Sequence, residues 1–201
     1  MKNLFLIGLL LVSSVACAQT NGYKVGDVVK DFSLKNVNNK TVSLADYQNA
    51  KGYIVVFTCN TCPVAKAYQE RVSTLNNTFA AKGYPVIAIN PNDAGAVPGE
   101  SFEKMQVLAK EKNFSFPYLL DPEHVVTKQF GALKTPHVFV LSKTGDGNVI
   151  EYIGAIDNDA EGDNPDKVNY VENAIKELSA GRKPTVSFTK AVGCSIKWKK
   201  G

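Results

Sequence analysis

The spacing of apolar positions along this chain changes several times, and each change marks an element. "YIVVF" (53–57) is an unbroken apolar run, which predicts a strand buried on both faces. From Thr61 to Lys82 the apolar residues fall at Val64, Tyr68, Val72, Leu75 and Phe79, one face of a helix that Gly83 stops. "YPVIAIN" (84–90) predicts a second buried strand, followed by the turn-rich "NPNDAGAVPGE" (90–100). "SFEKMQVLAKEKN" (101–113) predicts a helix capped by Ser101. "FPYLLD" (116–121) predicts a short strand, and "PEHVVTKQFG" (122–131) a short helix opened by Pro122. "HVFVLS" and "VIEYIGAI" predict two strands paired across the "KTGDGN" turn. A last amphipathic helix, from about Pro165 to Gly181, would bury Val168, Val171, Ile175 and Leu178. Ahead of all these, "DFSLKNVNNKTVSL" (31–44) alternates around Asn38-Asn39 and predicts a hairpin.

Strands alternating with helices imply an α/β sandwich, with helices covering a central sheet. The chain has 201 residues and no internal repeat, which fits one domain over 19–201 behind a leader. That leader is "MKNLFLIGLLLVSSVACAQT": Lys2, an apolar stretch too short to span a bilayer, then small residues. It predicts a signal peptide over 1–18 with cleavage after Ala18, and hence a periplasmic or other extracytoplasmic location. Lipidation at Cys17 is the rival reading and the only route to a membrane, but Ser14 stands where a lipidation box usually has leucine. The composition is that of an ordinary globular protein, 44% apolar and 21% charged. A net charge of +4 spread over scattered lysines predicts no nucleic-acid partner.

Export changes how the four cysteines are counted. With Cys17 cleaved off or lipidated, Cys59, Cys62 and Cys194 remain, an odd number of thiols. Cys59 and Cys62 stand in "VVFTCNTCP", where the first buried strand feeds the first long helix. Structural zinc is disfavoured, because Cys194, His124 and His137 do not form a second close ligand pair. A Cys59–Cys62 staple is disfavoured too, since so short a loop removes little chain entropy. A reactive dithiol has a mechanism. A helix N-terminus stabilises a thiolate, so Cys59 would be the exposed attacking sulfur of lowered pKa. Cys62, one turn inside the helix, would resolve the mixed disulfide. The Thr135-Pro136 pair at the head of a strand is unusual, because proline removes a ladder donor; a cis peptide would account for it.

These features together resemble the thioredoxin-like superfamily, and within it the redoxin (AhpC/TSA-like) branch. Four stretches carry the resemblance: "VGDVVKDFSL…KTVSLADY", "VVFTCNTCP", "KTPHVFVL" and "GNVIEYIGAI", spanning about residues 25 to 180. The resemblance implies a thioredoxin-like sandwich, a central mixed sheet flanked by helices, with an N-terminal hairpin extension. It implies thiol–disulfide exchange without a cofactor or metal, acting on protein disulfides or small thiols and recycled by a redox partner. It also implies that Thr135 and Pro136 lie against the sulfurs and bind substrate. Relatives with a similar site are similar in ending "GCSIKWK", which implies that Cys194 is a third redox thiol near Cys59 and Cys62. Three departures stand out: Thr58 replaces the usual tryptophan, Asn60-Thr61 matches no familiar dipeptide, and "YIVVF" lacks the usual buried acid.

An antioxidant peroxidase is the alternative, but Cys59 occupies the threonine place of its Pro-x-x-x-Thr-x-x-Cys pattern. A non-catalytic binding module on the same scaffold is a third reading, against which the intact Cys-x-x-Cys speaks. "DNDAEGDNPD" (157–166) imitates a calcium loop, but Val168 replaces the bidentate glutamate. That predicts a solvated acidic loop. Arg71 is expected at the surface of its helix, and His137 is expected to be exposed at its strand end.

Overall fold

The computed structural model describes residues 22–200. The leader over 1–18 and Cys17 lie outside the described residues. The elements, in chain order, are β1 (Val28–Val29), β2 (Ser33–Asn36), β3 (Thr41–Ser43), β4 (Gly52–Phe57) and α1 (Pro63–Phe79). There follow β5 (Val86–Asn90), α2 (Phe102–Glu111), β6 (Tyr118–Leu120), α3 (Val125–Phe130) and β7 (Lys134–Thr135). Last come β8 (His137–Thr144), β9 (Gly147–Gly154), α4 (Tyr170–Ser179) and β10 (Cys194–Ser195).

Eight strands form one mixed sheet in the order β1-β9-β8-β4-β5-β6-β2-β3, and β7 pairs with β10 in a two-stranded ribbon. β4 runs parallel to β5 and antiparallel to β8. This is the thioredoxin-like sandwich, and β2 with β3 is its N-terminal hairpin. β4 is buried along its whole length, as an unbroken apolar run requires. Its alternation divides the core. Ile54 and Val56 join Tyr68, Val72 and Phe79 of α1 and Val171 and Ile175 of α4 on one face. Tyr53, Val55 and Phe57 join Val126 and Phe130 of α3 and the N-terminal Val29 and Phe32 on the other. Phe130 is the centre of that second face, with ring centroids 5.4, 5.9, 5.4 and 5.1 Å from Tyr23, Phe32, Phe57 and Phe139.

Several expected boundaries shift. α1 starts at Pro63, so Cys62 is its N-cap rather than one turn inside. The helix expected from Pro122 starts at Val125, because His124 takes a left-handed φ of 57° and turns the chain first. α4 starts at Tyr170, not near Pro165, which leaves Val168 exposed and Leu178 half-buried. The residues ahead of it are occupied otherwise. Asp157 and Asp159 of the acidic loop are buried, and Arg71 and Lys167 hold both carboxylates. Arg71 is therefore not a free surface residue, and this end of the loop is not solvated. Instead Arg71 ties the loop to helix α1.

Phe130→Ala should remove the ring that four aromatic neighbours enclose. The expected loss is about 3–5 kcal/mol of unfolding free energy, read from the urea midpoint at unchanged m-value.

Candidate active site

β4 ends at Phe57, and the chain then passes through Thr58 to Cys59, Asn60, Thr61 and Cys62 before α1 begins. A neighbour in the sheet, β8, begins just after the Thr135–Pro136 peptide, which is cis. Phe57 pairs with His137 in that register, so the Cys-x-x-Cys turn and the cis-proline turn leave the sheet side by side. The last strand, β10, then adds to β7 with Cys194 opposite Thr135.

Thr135 thus touches all three cysteines. Its Oγ1 is 3.1 Å from Cys59 Sγ, and its carbonyl oxygen is 3.4 Å from Cys62 Sγ. Its backbone pairs with Cys194. Cys62 and Cys194 are joined by a disulfide across a sequence separation of 132, with Cα atoms 6.1 Å apart. Cys59 is a free thiol.

The expected exposure of Cys59 is corrected: it is only 1% accessible, whereas Cys194 is half-buried and is the most open of the three. The expected fall in its pKa is corrected as well. Burial pushes the Cys59 thiol up from its ordinary value, and the negative charge of Glu100 adds to this. The Thr135 hydroxyl and the backbone N–H groups of Cys62 and Thr61 pull the other way and do not prevail. The helix N-terminus is present, but desolvation outweighs it.

Glu100 is the residue that sequence reasoning missed. It is fully buried, delivered by the short helical turn Pro98–Glu100 that follows β5. Its carboxylate accepts from the backbone N–H groups of Asn60 and Thr61 at 2.8 and 2.9 Å. It also accepts from the Thr61 hydroxyl at 2.5 Å and from Asn90 Nδ2 at 3.0 Å. One buried carboxylate therefore shapes the turn between the two cysteines. An acid is present after all, delivered from a loop some forty residues downstream rather than from the strand leading into the pair. A lone glutamate in a turn-rich loop carries no local signal of that role.

His137 is not exposed as expected. It is buried, its ring 4.7 Å from that of Phe139, and burial lowers its pKa to about 4. The last residues are held by backbone and side chain alike. Asp93 N–H donates to the Lys197 carbonyl, and Lys197 N–H donates to Asn92 Oδ1. Ile196 is buried, the Trp198 ring packs tilted against that of His124 with centroids 4.9 Å apart, and Lys199 pairs with Glu123. Among the described residues, no group of three or more His, Cys, Asp or Glu side chains is arranged to hold a metal ion. No helix among them is long and apolar enough to cross a membrane.

Residues 25–151 match the sequence model of the AhpC/TSA family. The solved structure of an uncharacterized conserved protein from Geobacillus kaustophilus is 32% identical with a TM-score of 0.81, covering 90% of this chain and 95% of that one. A hypothetical protein from Sinorhizobium meliloti is 29% identical with a TM-score of 0.82, covering 91% and 99%. Thiol-disulfide oxidoreductase ResA from Geobacillus thermodenitrificans is 23% identical over 121 residues, 60% of this chain. This chain spans 65% of the length of that curated relative.

Two outcomes follow from the geometry. A Cβ on Gly193 would meet the Thr135 carbonyl oxygen at 2.3 Å, and backbone cannot swing aside. Gly193→Ala should therefore undock β10, and non-reducing peptide mapping should show loss of most of the Cys62–Cys194 link. The second concerns pH. A histidine whose pKa is about 4 when folded and 6.5 in its ordinary state stabilises the fold only while neutral. That contribution is fully present above pH 6.5 and is lost as pH falls toward 4. The share of it lost between pH 7 and pH 4.5 is roughly 2 kcal/mol, read as the difference in urea stability between those two pH values. His137→Gln should abolish that share of the acid sensitivity.

Proposed function

The chain belongs to the AhpC/TSA family, and from that premise we propose that it is an exported thiol–disulfide oxidoreductase whose dithiol is completed by Cys194. The observation that carries this reading is the convergence of Cys59, Cys62 and Cys194 on Thr135. Support for export comes from the leader sequence and from a disulfide, which persists in oxidising compartments. The catalytic cysteines are Cys59 and Cys62, with Cys194 as the third redox thiol and Thr135–Pro136 as the loop on which they meet.

Accessibility sets the order of events. A partner's thiolate attacks the Sγ of Cys194, the sulfur nearest solvent, and the Cys62 sulfur leaves. The partner's second thiol then attacks its own sulfur in the mixed disulfide and releases Cys194 as a thiol. The partner's two thiols are oxidised to a disulfide, and the Cys62–Cys194 disulfide is reduced to two thiols. Run backward, the same steps reduce a protein disulfide. Once reduced, Cys62 Sγ has a proton to donate to the Thr135 carbonyl 3.4 Å away, so the reduced form keeps a partner inside the site. Cys59 serves inside the protein. Its thiolate attacks Cys62 Sγ and displaces Cys194, giving a Cys59–Cys62 disulfide and a free Cys194 thiol. Its raised pKa keeps that exchange slow at neutral pH, because only the thiolate is the nucleophile.

A second reading has an observation in its favour. A link across 132 residues is an effective staple, on the order of 5 kcal/mol in the chain-entropy account. Equilibration with glutathione separates the two. A reduction potential below about −300 mV would make Cys62–Cys194 structural and sink the exchange reading.

The direct test is trapping. Reduced Cys62→Ser protein, challenged with an oxidised protein substrate, should form a mixed disulfide through Cys194 that nothing resolves. Non-reducing electrophoresis and peptide mapping would identify the linked cysteine. An adduct on Cys59 instead would overturn the order of events, and no adduct on either would remove the activity.

A further inference from the structure

An apolar cleft of about 390 Å³ beside Lys134 takes no part in the exchange chemistry. Its floor is the second core face, with Phe139 and Ile153 at its base. The rim carries two large apolar side chains left uncovered among the described residues, Leu133 at 66% exposure and Phe188 at 65%. They come from different segments. Leu133 precedes β7, while Phe188 lies where the chain after α4 bridges to Ile153 at the edge of the sheet. Contiguous apolar surface of this kind marks a binding site more often than scattered exposed residues do.

The polar lining is one-sided. Lys24, Lys134 and Lys190 line the cleft, and among the described residues no Asp or Glu does. His137 lines it as well. Its Nδ1 accepts from the Leu133 N–H, which leaves the ring proton on Nε2 as a free donor. Beside its apolar walls the site therefore offers charged side chains of one sign, all cations. An occupant with acids around an apolar group matches both features.

The cleft also adjoins the reaction centre. Lys134 in its wall is bonded to Thr135, whose atoms contact Cys59 and Cys62 and whose backbone pairs with Cys194. A protein thiol or disulfide that reaches Cys194 brings its own flanking residues along this edge. We propose that the cleft docks the substrate protein: an extended segment that seats one aromatic or long aliphatic side chain between Leu133 and Phe188 and lays flanking Asp or Glu residues on the three lysines. The proposal rests on the thiol–disulfide reading above and names its substrate class.

The test uses peptides without cysteine, so that binding is read apart from redox chemistry. Blocked Glu-Glu-Phe-Glu-Glu, Lys-Lys-Phe-Lys-Lys and Glu-Glu-Ala-Glu-Glu are titrated into the isotope-labelled protein and followed by amide shifts. The acidic phenylalanine peptide should saturate, with shifts centred on Leu133, His137 and Phe188. The other two should bind about fivefold or more weakly. Leu133→Ser with Phe188→Ser removes only exposed side chains, so the thermal melt should hold while affinity falls by a similar factor. Lys134→Glu with Lys190→Glu should reverse the preference between the acidic and basic peptides. Equal binding of the three peptides, shifts elsewhere, or no saturation would overturn the proposal. So would saturation by decanoate without peptide binding, which would make this a small-anion site. If Cys62→Ser traps no partner but the acidic peptide binds here, the redox reading fails and the docking surface stands; trapping without peptide binding removes the docking surface alone.

Discussion

The burial of Thr135 is the constraint from which the site follows. A fully buried threonine must give its hydroxyl a partner, and here that partner is Cys59 Sγ, while its carbonyl lies 3.4 Å from a Cys62 sulfur that can donate to it only after reduction. Its backbone also carries β10, which makes the last residues of the chain part of the site. The approach is close enough that only glycine fits at position 193. Cys59 and Cys62 follow the central strand β4, and Cys194 arrives from the far end of the sequence. One side chain and one peptide unit hold them together.

Electrostatics then divides the labour among the cysteines. A helix N-terminus favours a thiolate, and the Cys62 and Thr61 N–H groups do act on Cys59 in that sense. Burial and the Glu100 carboxylate act against it and are stronger. The same carboxylate that shapes the turn, through hydrogen bonds to Asn60 and Thr61, makes charge on Cys59 costly. A buried sulfur with a raised pKa is poorly placed to meet an outside partner first. The most accessible sulfur belongs to Cys194, in the short strand β10.

The rest of the fold keeps that arrangement in register. The acidic loop after β9 is anchored to α1 by Arg71 on Asp157 and Asp159, with Lys167 alongside. The tail is fixed at several independent points, from Ile196 in the core to Trp198 on His124 and Lys199 on Glu123. Docking energy spread over many weak contacts permits a strand of two residues to sit firmly while its cysteine is oxidised.

The sequence by itself determined the alternation of strands and helices, because apolar period depends only on neighbours in the chain. β4 and β5, α1 and the β8–β9 hairpin were all legible in this way, as were the Ser101 cap and the oddity of Thr135-Pro136. Boundaries at His124 and ahead of α4 were not, since a left-handed residue and a network of buried ion pairs overrode the local pattern. The site was half legible. Cys59 and Cys62 announce themselves by spacing, and Cys194 by an odd count. Only the tertiary structure decided which two are joined, which one is shielded, that Glu100 and His137 are buried, and that Arg71 is held by two buried carboxylates. Pairing, desolvation and the reach of a charge are properties of distance in space, and residues 40 or 132 positions apart carry no mark of being neighbours until the sheet brings them together.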